Sequence, residues 1–407
     1  MNNSAEIFEI GLGLTSPWFV EKVSFESVND IKELHIYIDF QKGYKFKDEK
    51  ENELPTHDTM QRTWQHLNFF QHKCFLHARV PRVKDLHGKV NIVSVPWARK
   101  GSGFTLLFEA YSMLLIESEM PVSKASKIMD VYPQRVWNIF DYWISIAFKE
   151  DIITDLTKIG FDETSTKKGH NYVTTLVDLE QKRVLFATNG KGSETIEKAV
   201  TYLTDKNVDI LNIHQACIDM SPAFISGCEK YLPNTAITFD RFHVTKEINK
   251  AMDDVRKNER RGNFDLKGHK YLFLKGNPNI EEQSQRDILM DKYKSLSDAY
   301  TMVQMFKDFW EFENIEDAKG YLAFWCDLAE NTKMAPFIKA SKTIKNHWEG
   351  IVNYISSKIS NGILEGINSK IQLAKKRARG YRNIENFINM IYFVAGKLKF
   401  NYPQYSI

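Results

Sequence analysis

Hydrophobic positions change their spacing twice along this 407-residue chain, and each change marks a different kind of element. Up to about residue 100 the apolar residues tend to alternate. Leu34-His35-Ile36-Tyr37-Ile38-Asp39-Phe40 has the period of a half-buried strand. Residues 1–55 otherwise read as a lead-in, and the charged run 45–53 reads as a solvated turn. Residues 63–64, 75–83 and 90–95 are short β-type segments rich in aromatic and basic residues, which predicts a small β-rich module with a basic surface. Beyond Gly101-Ser102-Gly103 the period becomes helical, with helices predicted over 104–119, 122–129 and 133–148 and a turn at Asp130-Val131-Tyr132. A short helix, a tight turn and a longer helix opening at Pro133 form a helix-turn-helix pattern; an ordinary three-helix packing unit fits the same spacing.

Alternation returns at Ile159-Gly160-Phe161, which ends in Asp162. It continues over 172–177 and, after a polar turn at 178–182, over 183–188. These make three antiparallel strands. Ser193 is placed as the N-cap of a following helix. A buried strand is expected over 208–218, with Asp219 at its C-terminal end; Ser221 as N-cap and Pro222 at the first helical position then open the next helix. A last strand over 236–239 ends at Asp240-Arg241-Phe242-His243. Three antiparallel strands followed by strand-helix alternation is the order of a ribonuclease H-like domain. Residues 252–350 then carry long helical patterns, over 283–312 and 315–331, with almost no strand signal. The 146 positions from Asp219 to Glu365 far exceed what one strand and one helix need, so a helical insertion is expected. A closing helix over 362–378 has Asn361 as N-cap and Gly380 as its stop.

The fold class is therefore α/β: a ribonuclease H-like core interrupted by an all-helical insertion, preceded by a β-rich module and a helix-turn-helix. The expected boundaries are 1–100 for the β-rich module, 101–150 for the helix-turn-helix, 155–251 and 351–400 for the two parts of the core, and 252–350 for the insertion.

Composition narrows the class without deciding it. Hydrophobic residues make up 43% and charged residues 26%, and there is no run of eighteen apolar residues, which argues against a membrane span or secretion. Cys74, Cys217, Cys228 and Cys326 show no paired spacing, as expected of a reducing cytoplasm. The net charge of +3 is too small to identify a partner, so the local distribution of charge carries the argument.

That distribution is concentrated on the closing helix. Lys370, Lys375, Lys376, Arg377, Arg379 and Arg382 lie between Gly366 and Ile384 with no acid among them. Such a track suits a phosphate backbone, and a solvated helix face is its bland counterpart. On the same helix Leu364, Ile367, Ile371 and Ala374 form an apolar face, flanked by Glu365, Asn368, Ser369, Gln372, Lys376 and Arg379. Asp162, Asp219 and Glu365 are thereby each placed where a strand or helix can aim them at a common point. Two Asp and one Glu form an oxygen cage for Mg2+ or Mn2+, and a two-metal site of that kind serves phosphoryl transfer on nucleic acid. Taken singly, each acid is an ordinary cap or surface charge. Glu163 should point to the opposite face of its strand. His243 reads as a capping or core histidine, with a role beside the site as the alternative. Asp240 and Asn368 are further candidates to support the site. Gln134, Arg135 and Asn138 lie on the face of the second helix that would read double-stranded DNA. Trp310, Trp325 and Trp348 read as core of the insertion, with stacking on a flipped base as the alternative.

Gly160-Phe161-Asp162-Glu163-Thr164-Ser165, Ile218-Asp219-Met220-Ser221, Thr238-Phe239-Asp240-Arg241-Phe242-His243-Val244, Gly362-Ile363-Leu364-Glu365-Gly366-Ile367-Asn368 and Lys376-Arg377-Ala378-Arg379-Gly380-Tyr381-Arg382-Asn383 together resemble the signatures of bacterial insertion-sequence transposases of the ISL-three group. The likeness extends upstream through Arg62-Thr63-Trp64 and His77-Ala78-Arg79-Val80-Pro81-Arg82-Val83 to Val95-Pro96-Trp97-Ala98-Arg99. It implies a DDE recombinase that cuts at the terminal inverted repeats of its own element and joins the freed 3′-hydroxyls to target DNA, working as a homodimer or larger synaptic complex. It places Asp162, Asp219 and Glu365 at the catalytic positions. Relatives carry paired cysteines in the N-terminal module that look like a zinc site. Here that part has only Cys74, and His57, His66, His72, His77 and His87 offer no paired spacing, so the module is expected to fold without zinc or to have decayed. A DNA-binding remnant without catalysis and a metal nuclease that cuts without joining are the competing readings.

Overall fold

The computed structural model describes residues 3–47, 52–85, 87–167, 171–359 and 362–403. Asn361, expected as a helix cap, residues 48–51 of the charged run, and Leu86 lie outside the described residues. The chain divides into two compact units, residues 1–147 with 399–407, and residues 148–398.

The first unit opens with helix α1 (Asn3–Gly11) and strands β1 (Trp18–Val28), β2 (Ile31–Phe40), β3 (Phe46–Lys47), β4 (Glu53–Leu54), β5 (Thr56–Phe69), β6 (His72–Lys84) and β7 (Val90–Ile92). A sheet runs in the order β1-β2-β6-β5, with β7 paired to β6. The expected lead-in is thus largely sheet: β1 and β2 form a hairpin in register from Trp18↔Phe40 to Val28↔Ile31. Asn29 and Asp30 both have positive φ, 48° and 63°, the backbone of a two-residue turn that matches strand twist. Leu34, Ile36 and Ile38 of β2 and Cys74, Leu76, Ala78 and Val80 of β6 point to one buried face, where Trp18, Trp64 and Trp97 join them.

Helices α2 (Leu106–Glu117), α3 (Val122–Ile128) and α4 (Pro133–Glu150) follow. Thr105 caps α2, its side chain accepting from the Phe108 amide. The turn between α3 and α4 passes through Asp130 at φ 51°. Glu109 is completely buried, yet each of its oxygens is used: Arg99 Nε donates at 2.9 Å, Ser102 Oγ at 2.6 Å and Trp143 Nε1 at 2.9 Å. A buried carboxylate is tolerable only with such partners.

The second unit begins with β8 (Lys158–Lys167), β9 (Asn171–Asp178), β10 (Arg183–Asn189), α5 (Ser193–Asp205), β11 (Gln215–Ile218), α6 (Pro222–Tyr231) and β12 (Ala236–Phe239). Its sheet has the order β10-β9-β8-β11-β12, with β8, β9 and β10 antiparallel and β11 parallel to both β8 and β12. Helices α7 (Arg241–Arg260), α8 (Lys270–Leu274), α9 (Ile280–Lys292), α10 (Lys294–Asp308), α11 (Ile315–Asn331), α12 (Ala335–Asn346) and α13 (Trp348–Ser357) come between β12 and the last two helices, α14 (Gly362–Arg377) and α15 (Ile384–Ala395).

Several local expectations are corrected. Gly192, not Ser193, is the N-cap of α5. Residues 208–213 are not strand: Ile210–Asn212 forms a 3-10 turn capped by Asp209, and β11 is only Gln215–Ile218. The helix expected over 283–312 is broken at Tyr293, which adopts extended φ/ψ between α9 and α10. Trp310 and Trp325 are buried among Phe306, Phe309 and Tyr354, which removes them from any stacking role, and Trp348 packs partly buried against the same core.

Candidate active site

The site is built where α14 lies along β8. Gly160, Asp162 and Thr164 alternate onto one face of the strand, while Leu364, Asn368 and Gln372 recur every four residues on the helix. Two strand residues advance about 6.6 Å and four helical residues about 6 Å, so the two rows stay in step. The first rung is a close approach: a Cβ on Gly160 would lie 2.9 Å from Leu364 Cδ2. In the second, Asn368 Nδ2 donates to Asp162 Oδ2, and in the third Gln372 Nε2 donates to Thr164 Oγ1 at 2.6 Å. Lys375 then donates to the Ser165 carbonyl. Of the expected basic track, Lys375 is therefore engaged by the strand, while Lys370, Lys376, Arg377, Arg379 and Arg382 are exposed.

Asp162 is the most perturbed carboxyl of this region. Its Oδ1 accepts the Glu163 amide at 2.7 Å, yet burial pushes its carboxyl up to about 6; Asp219 and Asp240 add to the rise, and His243 opposes it. Glu163 is also raised to about 6, first by burial and then by Asp219, against Lys191. Asp219 follows β11, the neighbour of β8, and its Oδ1 accepts the Ser221 amide at 2.9 Å. Asp240, 2% exposed, caps α7 by accepting from the Phe242 amide at 3.0 Å and pairs with His243 Nδ1 at 2.7 Å. That bond holds the imidazole above its ordinary pKa. His243 is both a capping partner and a charge that Asp162 feels.

Glu365 stands apart. It is exposed, one turn before Asn368, and lines a cavity of about 340 Å³ with Asp240, Arg241, Phe242, Thr245, Tyr354 and Gly362. Asp162, Asp219, Asp240 and His243 are thus within electrostatic reach of one another, and Glu365 shares a cavity with Asp240. Among the described residues no three His, Cys, Asp or Glu side chains gather at metal-ligand spacing. Asp162 and Asp219 nonetheless fit a hard cation in kind: two neighbouring carboxylates, the first desolvated and without a basic side chain bonded to it.

On α4, Gln134, Arg135 and Asn138 are exposed; Gln134 Nε2 donates to Asn138 Oδ1 at 2.9 Å, and the Arg135 guanidinium lies 4.1 Å from the Phe104 ring centre. In the β-rich module His77 pairs with Thr63 and His35, His66 with Thr105, and His72 with the Lys32 carbonyl. Burial pushes the Cys74 thiol up to about 12. Gly160 and Thr164 were missed as site residues; the matched two- and four-residue spacings were the signal that could have found them.

The fold and site define a mixed α/β protein with an acidic site on its second sheet and a three-helix segment before it. A family profile described as the DDE-type transposase of ISL3 matches residues 159–391, and a second, described as the helix-turn-helix domain of transposase family ISL3, matches residues 93–144. The chain belongs to the ISL3 family of insertion-sequence transposases. Membership assigns it to DNA transposition by phosphoryl transfer on nucleic acid, a chemistry for which the DDE family generally uses divalent metal ions. The transposase for insertion sequence element IS1001 of Bordetella parapertussis is 25% identical over 345 residues, 81% of this chain and 84% of that protein. The transposase for insertion sequence element IS1557 of Mycobacterium tuberculosis is 23% identical over 384 residues, 85% of each. Among solved structures, the Drosophila P element transposase strand transfer complex is similar at 10% identity and a TM-score of 0.39, over 72% of this chain and 93% of that one. No helix among the described residues is long and apolar enough to cross a membrane.

Proposed function

We propose that this chain cuts DNA at the terminal inverted repeats of its own insertion sequence and joins the freed 3′-hydroxyls to target DNA, with Asp162, Asp219 and Glu365 as its catalytic carboxylates. On this reading β8–β12 and α14 form a ribonuclease H-like core (155–251 and 351–400), interrupted by a helical insertion (252–350). Residues 1–100 and 101–150 form a β-rich module and a helix-turn-helix that grip the ends. Two ends must be held together, so the working form is a homodimer or larger complex, in the cytoplasm.

The observation that carries the reading is the desolvated Asp162 carboxyl, raised to about 6 with Asp219 and Asp240 beside it. Like charges gathered around a carboxyl that itself bonds no basic side chain are a feature of functional sites rather than of stable cores. Asp162, Asp219 and Glu365 would hold Mg2+ or Mn2+. Bound there, the metal supplies charge neutralisation at the scissile phosphate and a lowered pKa on the attacking water or 3′-hydroxyl. The chain's own residues do the rest. Asn368 orients the Asp162 carboxyl, Asp240 fixes the His243 ring, and the exposed Glu365, one turn before Asn368 on α14, would complete the carboxylate set. Lys370, Lys376, Arg377, Arg379 and Arg382 track the DNA backbone beside the cut.

The test is strand cleavage of a labelled duplex carrying the element's ends, with Mg2+ or Mn2+, comparing the parent with Glu365→Gln. Metal-dependent cuts at the repeat ends that vanish in the variant support the reading. Tight binding with no cutting by either protein would instead favour a DNA-binding remnant, a reading to which the exposed position of Glu365 lends its one supporting observation.

A further inference from the structure

The segment between α7 and α9 exposes rings and cations that nothing in the proposed active site uses. It is well anchored. Leu266, Leu272 and Phe273 are buried in the core of the second unit, and Arg256 donates to the Leu266 carbonyl at 3.4 Å. Asp265 is held by Lys292 Nζ at 2.7 Å and the Tyr293 hydroxyl at 2.8 Å. Yet Phe264 is 90% exposed and Tyr271 70% exposed, between residues of the same segment that are buried. Leaving a ring of that size in water forgoes roughly 1.5–3 kcal/mol of burial. Two such rings on one anchored segment, Tyr271 with the Lys270 ammonium 5.8 Å from its centre, are open to a partner that can stack on them.

The charges around them identify that partner. Lys257 pairs with Asp253 and Asp254, Lys270 lies 3.9 Å from Asp253, and Lys275 pairs with Glu282. Arg260, Arg261 and Lys267 are exposed and have no ion pair among the described residues; Glu259, half-buried, is the one carboxylate of the segment without an ion pair among them. The surplus is positive and is interleaved with aromatic rings, a combination that suits phosphates with an unstacked base beside them.

We propose that Phe264, Tyr271, Arg260, Arg261 and Lys267 form a second DNA-binding surface, separate from the α4 face, which takes the phosphate backbone on its cations and an unpaired base near the cut end on its rings. The choice of DNA as partner rests on the transposase reading. The same chemistry assigns the rings to the single-stranded end that cleavage exposes and the cations to the backbone of either duplex.

The full chain is tested on two labelled duplexes carrying the terminal repeat, one blunt and one with a single-stranded 3′ extension, over a range of salt concentrations. The variants are Arg260→Ala/Arg261→Ala/Lys267→Ala, Phe264→Ala/Tyr271→Ala and, as a control on the α4 face, Arg135→Ala. All changed residues are exposed, and unchanged thermal unfolding confirms that each variant is folded. The charge variant should bind both duplexes at least tenfold more weakly, with a slope of log affinity on log salt shallower by about two to three. The ring variant should lose roughly five- to hundredfold on the extended duplex and little on the blunt one. If both variants match the parent while Arg135→Ala binds more weakly, the second surface is overturned and the transposase reading stands. A parent that binds neither duplex overturns both.

Discussion

Asp162 shows how one residue can be legible in a sequence while its state is not. Its place after the alternating Ile159-Gly160-Phe161 marked it as a strand residue, although the strand runs on past it to Lys167. Its carboxyl near 6 depends on burial and on Asp219 and Asp240, which come from two other strand ends. Between about pH 4 and 6 the native state therefore holds protons on Asp162 and Glu163 that the unfolded chain has released, so these two groups make metal-free stability fall as pH rises through that window. His66, pushed down to about 4 by burial, acts in the opposite direction between about 4 and 6.5. A difference measurement separates them. The melting temperature of Asp162→Asn minus that of the parent, in chelator, should grow from pH 4 to pH 6 and level off above. A difference that stays flat would mean that Asp162 titrates like an exposed acid. With Mg2+ or Mn2+ added, the parent should gain thermal stability increasingly above pH 6, where the carboxylate is ionised, and Asp162→Asn should gain far less.

At the scale of elements, the pairing of α14 with β8 depends on two periods that happen to match. Each was visible alone. Leu364, Ile367 and Ile371 gave the helix its buried face, and Ile159, Phe161 and their neighbours gave the strand its alternation. Their register was not visible, because it is set by side chains 204 to 208 positions apart: Gly160 with Leu364, Asp162 with Asn368, Thr164 with Gln372. Gly160→Val should push Leu364 out of its packed rotamer, at a cost of about 1–3 kcal/mol read as a lower denaturation midpoint. Cleavage should fall further than that stability loss explains, since Asn368 shifts away from Asp162. Gln372→Ala, which removes one hydrogen bond from the same row, should cost only about 0.5–1.5 kcal/mol. If the two variants cost the same, the rows do not act as a register. In the first unit the β1–β2 hairpin was missed although its turn pair, Asn29-Asp30, stood between alternating runs. Exposed Phe25, Val28 and Ile31 weaken the usual inside-outside contrast there. Glu109 was missed for the opposite reason: nothing local marks a helix carboxylate as buried. Glu109→Gln keeps the shape but leaves Arg99 without its counter-charge, and should destabilise the protein by about 3–5 kcal/mol, seen as a lower melting temperature.

For the whole molecule, the division into two compact units implies that grip and cut are separable. The residues proposed to read DNA through the major groove, Gln134, Arg135 and Asn138, belong to the first unit, and the Asp162 site belongs wholly to the second. Arg135→Ala in the full chain removes one cation from the exposed face of α4 and leaves the carboxylates untouched. It should weaken discrimination between the true repeat and a scrambled one by about 1–3 kcal/mol, or roughly five- to hundredfold in relative affinity, while leaving the metal-dependent rise in melting temperature unchanged. Asp162→Asn should do the reverse: repeat binding equal to the parent, the metal response largely gone, and strand cleavage lost. Quantitative binding to the two duplexes, scored beside melting curves with and without Mn2+, checks both at once. The crossed pattern follows from physical chemistry as well as from domain division, because direct base readout depends on hydrogen bonds at the α4 face, whereas cation binding depends on the neighbouring carboxylates. If Arg135→Ala abolished the metal response, or Asp162→Asn the repeat discrimination, the two units would be energetically coupled, and recognition would have to be treated as part of assembling the active site.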